Sequence, residues 1–145
     1  MIQDGINYYD GNFQTERLPK GTALAGTFEN INPCTGESIG SFPKSTSTEV
    51  HHVCDKAKKA FQEWKQLSRF KRAEYLLKVS KIIERRAKEL AEAISLETGK
   101  NYNESVAEVN EALHMAQYAF SLGRMPHGEA VASEISEKDS YMLRK

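Results

Sequence analysis

Between Arg69 and Lys100, apolar or small residues recur at Ala73, Leu76, Ser80, Ile83, Ala87, Leu90 and Ile94 in alternating steps of three and four, with Leu77 and Ala91 widening the stripe. That spacing predicts one long amphipathic helix whose apolar face needs a partner. The pattern stops at Leu96-Glu97-Thr98-Gly99-Lys100. Gly99 stands where a left-handed C-terminal cap is wanted, because a residue without a Cβ turns the chain there at little steric cost.

Helical patterns flank this stretch on both sides. Thr46-Ser47-Thr48-Glu49 fits a capping box, in which the threonine hydroxyl and the glutamate carboxylate each satisfy an unpaired donor of the first turn. Val50, Val53, Ala57, Phe61 and Trp64 then mark one face of a helix. Asn101-Tyr102-Asn103-Glu104 repeats the capping logic for a third helix, with a seam through Val106, Val109, Leu113, Ala116, Phe120 and Gly123, ended by Pro126 and Gly128. The dense charges over 78–92, including Glu84 and Lys88 at i and i+4, predict a solvated face.

The ends of the chain read as strands. Tyr8-Tyr9-Asp10-Gly11-Asn12-Phe13 places aromatics around Asp-Gly, a dipeptide suited to the positive φ angles of a type I′ turn, and so predicts a short hairpin. Residues 27–31 alternate polar and apolar side chains, Asn32-Pro33-Cys34-Thr35-Gly36 supplies turn chemistry, and residues 37–42 return as a second strand. Leu18-Pro19-Lys20-Gly21-Thr22 predicts an irregular connection. Residues 129–133 and 140–145 read as an antiparallel ribbon around a polar loop. A strand pattern running to the last residue predicts that further polypeptide belongs beyond Lys145.

Composition excludes several function classes. The 145 residues are 39% hydrophobic and 28% charged, enough for one ordinary core, and no apolar run approaches the ~20 residues of a spanning helix. Lys plus Arg and Asp plus Glu balance at 20 each, so no global field draws nucleic acid or a membrane surface. Two cysteines make no disulfide framework and the N-terminus carries no signal pattern, which predicts a cytoplasmic chain.

The chemical inventory is thin. His51, Cys54 and Asp55 share a helical turn, but zinc requires three or four converging ligands and His52 points elsewhere. Cys34 sits in a turn with no neighbouring base to activate it. His114 and His127 are isolated, without a positioned carboxylate. Gly21, Gly26, Gly36 and Gly40 lack the spacing and the strand-to-helix context of a dinucleotide-binding loop. Neither a catalytic nor a cofactor-binding residue is assigned.

The run from Phe28 through Asn32-Pro33-Cys34-Thr35-Gly36 to Gly40 closely resembles the N-terminal hairpin of the NAD(P)-dependent aldehyde dehydrogenase superfamily. Ala60-Phe61, Trp64, Arg72, Glu89-Leu90-Ala91, Leu96-Glu97-Thr98-Gly99-Lys100, Glu108-Val109 and Gly128-Glu129 follow in the family's order. The resemblance covers about residues 27–145. Cys34 departs from it, standing where a small residue such as alanine is usual, and it does not correspond to the family's nucleophile.

The resemblance implies an α/β, aldehyde dehydrogenase-like fold, here comprising N-terminal β-hairpins, three amphipathic helices and the start of an antiparallel oligomerisation ribbon. It divides the chain into an N-terminal arm (1–26), the N-terminal part of the NAD(P)-binding domain (27–125) and the start of the ribbon (126–145). It also implies oxidation of an aldehyde to an acid with NAD or NADP through a cysteine thiohemiacetal, with the nucleophile, oxyanion donor and base all beyond the matched stretch. The chain is therefore expected to be an N-terminal portion, inactive alone, that pairs with the remainder of an aldehyde dehydrogenase and forms a homo-oligomer. The alternatives are one chain of a split enzyme with a complementing subunit, or a non-catalytic helical interaction module. By family position, Asn30, Ile31 and Glu97 would hold a monovalent cation, K+ or Na+, through backbone carbonyls and a carboxylate.

Overall fold

The computed structural model describes residues 4–13 and 26–143. The predicted irregular connection over 18–22, and Gly21 with it, lies outside the described residues, as do the last two residues of the ribbon.

Among the described residues, three two-stranded antiparallel sheets and four helices follow in chain order. The first hairpin pairs β1 (Tyr8–Tyr9) with β2 (Asn12–Phe13) around Asp10 at φ 54° and Gly11 at φ 78°, the double left-handed turn that Asp-Gly favours. The second joins β3 (Thr27–Ile31) to β4 (Ser38–Pro43), with a register shift between Asn30 and Ile31. Its turn is built by Asn32, whose carbonyl accepts from the Gly36 amide at 2.8 Å and whose side-chain oxygen accepts from the Cys34 amide at 2.9 Å.

Helix α1 (Ser47–Trp64) starts on the predicted capping box: Thr46 Oγ1 accepts from the Glu49 amide at 3.2 Å, and Glu49 Oε2 accepts from the Thr46 amide at 3.0 Å. The long helix predicted over 69–100 is instead two helices, α2 (Arg69–Arg85) and α3 (Ala87–Thr98). They meet at Arg86, whose φ of −104° and ψ of 15° leave the helical region, and whose amide is shared between the Ile82 and Ile83 carbonyls. A strict alternation of threes and fours drifts about 20° per heptad from a straight helix, and a break lets both halves keep their stripe on one partner. Charge favours the same point, since Arg85 ends α2 and Glu89 opens α3, each complementing its helix dipole. The predicted Glu84–Lys88 pair therefore straddles the break, and Lys88 reaches Glu92 instead, at 3.8 Å.

That partner is α4 (Tyr102–Leu122), which packs against both α2 and α3. Small residues form the seam. Ala73, Ser80, Ala91, Ser105 and Val109 are buried, and a Cβ on Gly123 would stand 2.3 Å from the Ala73 Cβ. Helix α4 ends at Leu122 with Gly123 as its cap, three residues before Pro126. The ribbon of β5 (Gly128–Ala132) and β6 (Asp139–Leu143) follows, in register from Gly128 opposite Leu143 to Ala132 opposite Asp139.

Candidate functional site

The β3–β4 turn, which follows Asn30 and Ile31 in the chain, meets the end of α3, the helix that carries Glu97, through Pro33, Cys34 and Gly99. Gly99 caps α3 at φ 71°, as expected, and its amide donates to the Ser95 carbonyl. This lets the chain press against the hairpin: a Cβ on Gly99 would come within 2.8 Å of both Cys34 Sγ and Pro33 Cγ. The Cys34 thiol donates to the Gly99 carbonyl at 3.2 Å, joining residues 65 apart in sequence. Ile31 and Asn30 lie immediately before the turn, on either side of the register shift, and Glu97 lies two residues before Gly99. Glu97 is exposed and enters no ion pair among the described residues. Beside it, Lys100 pairs with Glu108 of α4 and the Lys100 carbonyl accepts from Ser95 Oγ at 2.8 Å, so the exit from α3 is fixed on both sides.

The remaining candidates stay apart. His51 Nδ1 donates to the Ser47 carbonyl of its own helix at 2.7 Å. His52 turns to the first hairpin, its ring edge-on to Tyr9 with centroids 5.8 Å apart. Cys54 and Asp55 are exposed, and among the described residues no three His, Cys, Asp or Glu side chains converge on a metal position. Both cysteines are free thiols. His114 and His127 are exposed on α4 and on the turn that follows it. Among the described residues every sheet is antiparallel and two-stranded, so none offers the parallel strand, glycine turn and helix that cradle a dinucleotide pyrophosphate. No hydride-transfer step is assigned to the described residues.

Two exposed ion pairs shift their members. Lys56 donates to Asp10 at 2.7 Å, and this bond holds the Asp10 carboxyl below its ordinary range and the Lys56 ammonium above its own. The Arg86 guanidinium grips Glu89 with two nitrogens, which lowers the carboxyl and raises the guanidinium. Sequence reading missed both pairs. Arg86 and Glu89 stand at i and i+3 and were in principle visible, whereas nothing local connects Asp10 with a lysine 46 residues away.

No helix among the described residues is long and apolar enough to cross a membrane. Residues 21–145 match the aldehyde dehydrogenase family. The chain is 36% identical over 143 residues to malonate-semialdehyde dehydrogenase 2 of Oceanobacillus iheyensis, covering 99% of this chain and 28% of that protein. It is 33% identical over 120 residues to 1-pyrroline-5-carboxylate dehydrogenase of Staphylococcus haemolyticus, covering 81% of this chain and 23% of that one. Among solved structures, lactaldehyde dehydrogenase from Escherichia coli superimposes with a TM-score of 0.79 at 27% identity, over 96% of this chain and 28% of that chain. The chain thus spans under a third of the length of these relatives.

Proposed function

The chain belongs to the aldehyde dehydrogenase family, and we propose that it forms the N-terminal part of an enzyme that oxidises an aldehyde to an acid with NAD or NADP. The family match over residues 21–145, joined to the hairpin and helix order, carries this reading. Within such an enzyme the present residues supply scaffold. In this reading residues 27–125 are the N-terminal part of the NAD(P)-binding domain, and 126–145 begin an oligomerisation ribbon, whose β5 and β6 leave Val131, Tyr141, Met142 and Leu143 exposed. The same stretch matches proteins named for three different substrates, which supports a role in scaffold rather than in substrate choice.

The cation reading belongs here too. Asn30 and Ile31 carbonyls and the Glu97 carboxylate, without an ion-pair partner among the described residues, are hard oxygen donors, the set that suits K+ or Na+, and the ion would tie the hairpin to α3. Comparison of melting in potassium, sodium and choline chlorides at one ionic strength tests it; identical curves refute it. The free thiols Cys34 and Cys54 support a reducing, cytoplasmic setting.

The test of the main reading is the mass and activity of the protein as its source produces it. A mass several times 16.4 kDa, with aldehyde-dependent reduction of NAD or NADP that the 145-residue chain alone lacks, is the expected result. Turnover by the isolated 145-residue chain refutes the scaffold assignment.

A further inference from the structure

Helix α1 stands apart from the bundle. Helices α2, α3 and α4 pack on one another, whereas α1 meets them chiefly at its C-terminal end, where the Trp64 ring lies 5.3 Å from that of Tyr75. Its middle is crossed by residues 4–13. This segment first adds to the edge of β4: the Gly5 amide donates to the Ser41 carbonyl and the Ser41 amide to Asp4 Oδ1, both at 2.8 Å, with Gly5 against the Phe42 ring. Asn7 Nδ2 then donates to Ser45 Oγ at 3.0 Å, just before α1 begins. The β1–β2 hairpin reaches the helix itself through Tyr9 on His52 and Asp10 on Lys56.

The contact is loosely filled. Open crevices lie on both sides of the hairpin, one of about 260 Å³ against Val50, Val53 and Cys54, the other of about 380 Å³ against Val53, Ala57 and Ala60. An element held by interdigitated apolar side chains leaves no such gaps. Charge acts at the hairpin tip beside the Tyr9 ring contact: Asp10 is the acid, and Lys56, His52 and Lys59 of α1 all draw it down.

We propose that residues 4–13 act as an electrostatically latched strap that holds α1 against β4 and releases it when the Asp10–Lys56 contact is weakened. Opening uncovers the half-buried Val53, beside the already exposed Ala57 and Ala60, while α2, α3 and α4 stay folded. Exposed ion pairs are screened by salt, so the strap opens more often as ionic strength rises.

Hydrogen–deuterium exchange of the 145-residue chain, followed by peptide mass, tests this. Asp10→Asn is expected to speed exchange of residues 50–60 by about threefold, the size usual for losing an exposed pair, with α2, α3 and α4 unchanged. Half-molar salt brings the parent chain to the same rate and leaves the variant where it was. The exchanged pair, Asp10→Lys with Lys56→Asp, restores slow exchange, which a merely damaged hairpin would not do. Equal rates in parent and Asp10→Asn chains overturn the proposal. So does a failure of the exchanged pair to restore protection, or a rate increase shared by all four helices. Helix α1 exchanging as fast as an unstructured peptide in the parent chain overturns it as well.

Discussion

Replacing Gly99 by alanine probes the junction between the hairpin and α3, because the position makes two separable demands. Its φ of 71° is left-handed, which costs a residue with a Cβ about 1–2 kcal/mol. The added methyl would also stand 2.8 Å from Cys34 Sγ and from Pro33 Cγ, closer than carbon and sulfur tolerate, and such overpacking adds about 1 kcal/mol or more. Gly36 separates the two effects. Its φ is 73°, yet a methyl added there would meet nothing within 4 Å, so Gly36→Ala carries the backbone cost alone. Urea denaturation followed by circular dichroism is expected to place Gly36→Ala about 1–2 kcal/mol below the parent chain and Gly99→Ala about 2–3 kcal/mol below it. Combining Gly99→Ala with Cys34→Gly removes one of the two close contacts and recovers part of the difference. Equal losses at Gly99 and Gly36 would show that the α3 cap does not press on the hairpin turn, and the site geometry derived from that contact would fall.

Other perturbations address other joints. Gly123→Val places a branched side chain where even a methyl would meet Ala73 at 2.3 Å, so it is expected to cost about 2–4 kcal/mol by forcing α2 and α4 apart; an unchanged denaturation midpoint refutes the small-residue seam. Thr46→Ala removes the hydroxyl of the α1 capping box and should cost about 1 kcal/mol, read as earlier loss of helical signal, whereas a neutral effect would mean the cap is idle. Because pairing lowers the Asp10 carboxyl, its contribution is fully present above the unfolded value near 3.8 and fades as pH falls through the lower folded value. Acid titration of the parent chain should therefore loosen α1 in that window by more than it loosens Asp10→Asn, which lacks the paired carboxylate; identical profiles exclude the linkage.

What could be read from sequence was what local chemistry decides. Asp10-Gly11 announced its turn, Thr46 and Glu49 their box, Gly99 its left-handed cap, since each acts within four residues. Arg86 could not be read in this way, because the break follows from two stretches having to meet α4. The strap was equally hidden, as Asp10 and Lys56 meet only after the hairpin folds over α1. At the candidate site, resemblance located Asn30, Ile31 and Glu97 singly, and Cys34 looked like an idle turn thiol. Its bond to the Gly99 carbonyl, which draws the turn and the cap together, is a tertiary contact with no local signature. Periodicity picked out the buried side of residues 69–100, Ala73, Ser80 and Ala91 included, but not which of its members lie deepest. The stripe on residues 69–100 stands out in sequence by its large apolar members, yet the buried positions are the small Ala73, Ser80 and Ala91, while Leu76 is over a third exposed.

That inversion bears on what completes the fold. Small residues let α2, α3 and α4 approach closely, and so turn Tyr75, Val79, Ile82, Met115 and Tyr118 outward. A compact monomer of 16.4 kDa has an accessible surface of about 7,500 Å², and this chain exposes 11654 Å², an excess of about 4,000 Å². Obligate interfaces bury roughly 2,000–5,000 Å² counted over both partners, hence roughly 1,000–2,500 Å² on each. Pairing of two such chains through one interface would thus leave much of the excess bare. Cover on several faces at once is what the remainder of a chain more than three times as long can supply, and a single partner docked on one groove cannot. The surface area therefore favours the scaffold of a larger aldehyde dehydrogenase over a free-standing interaction module.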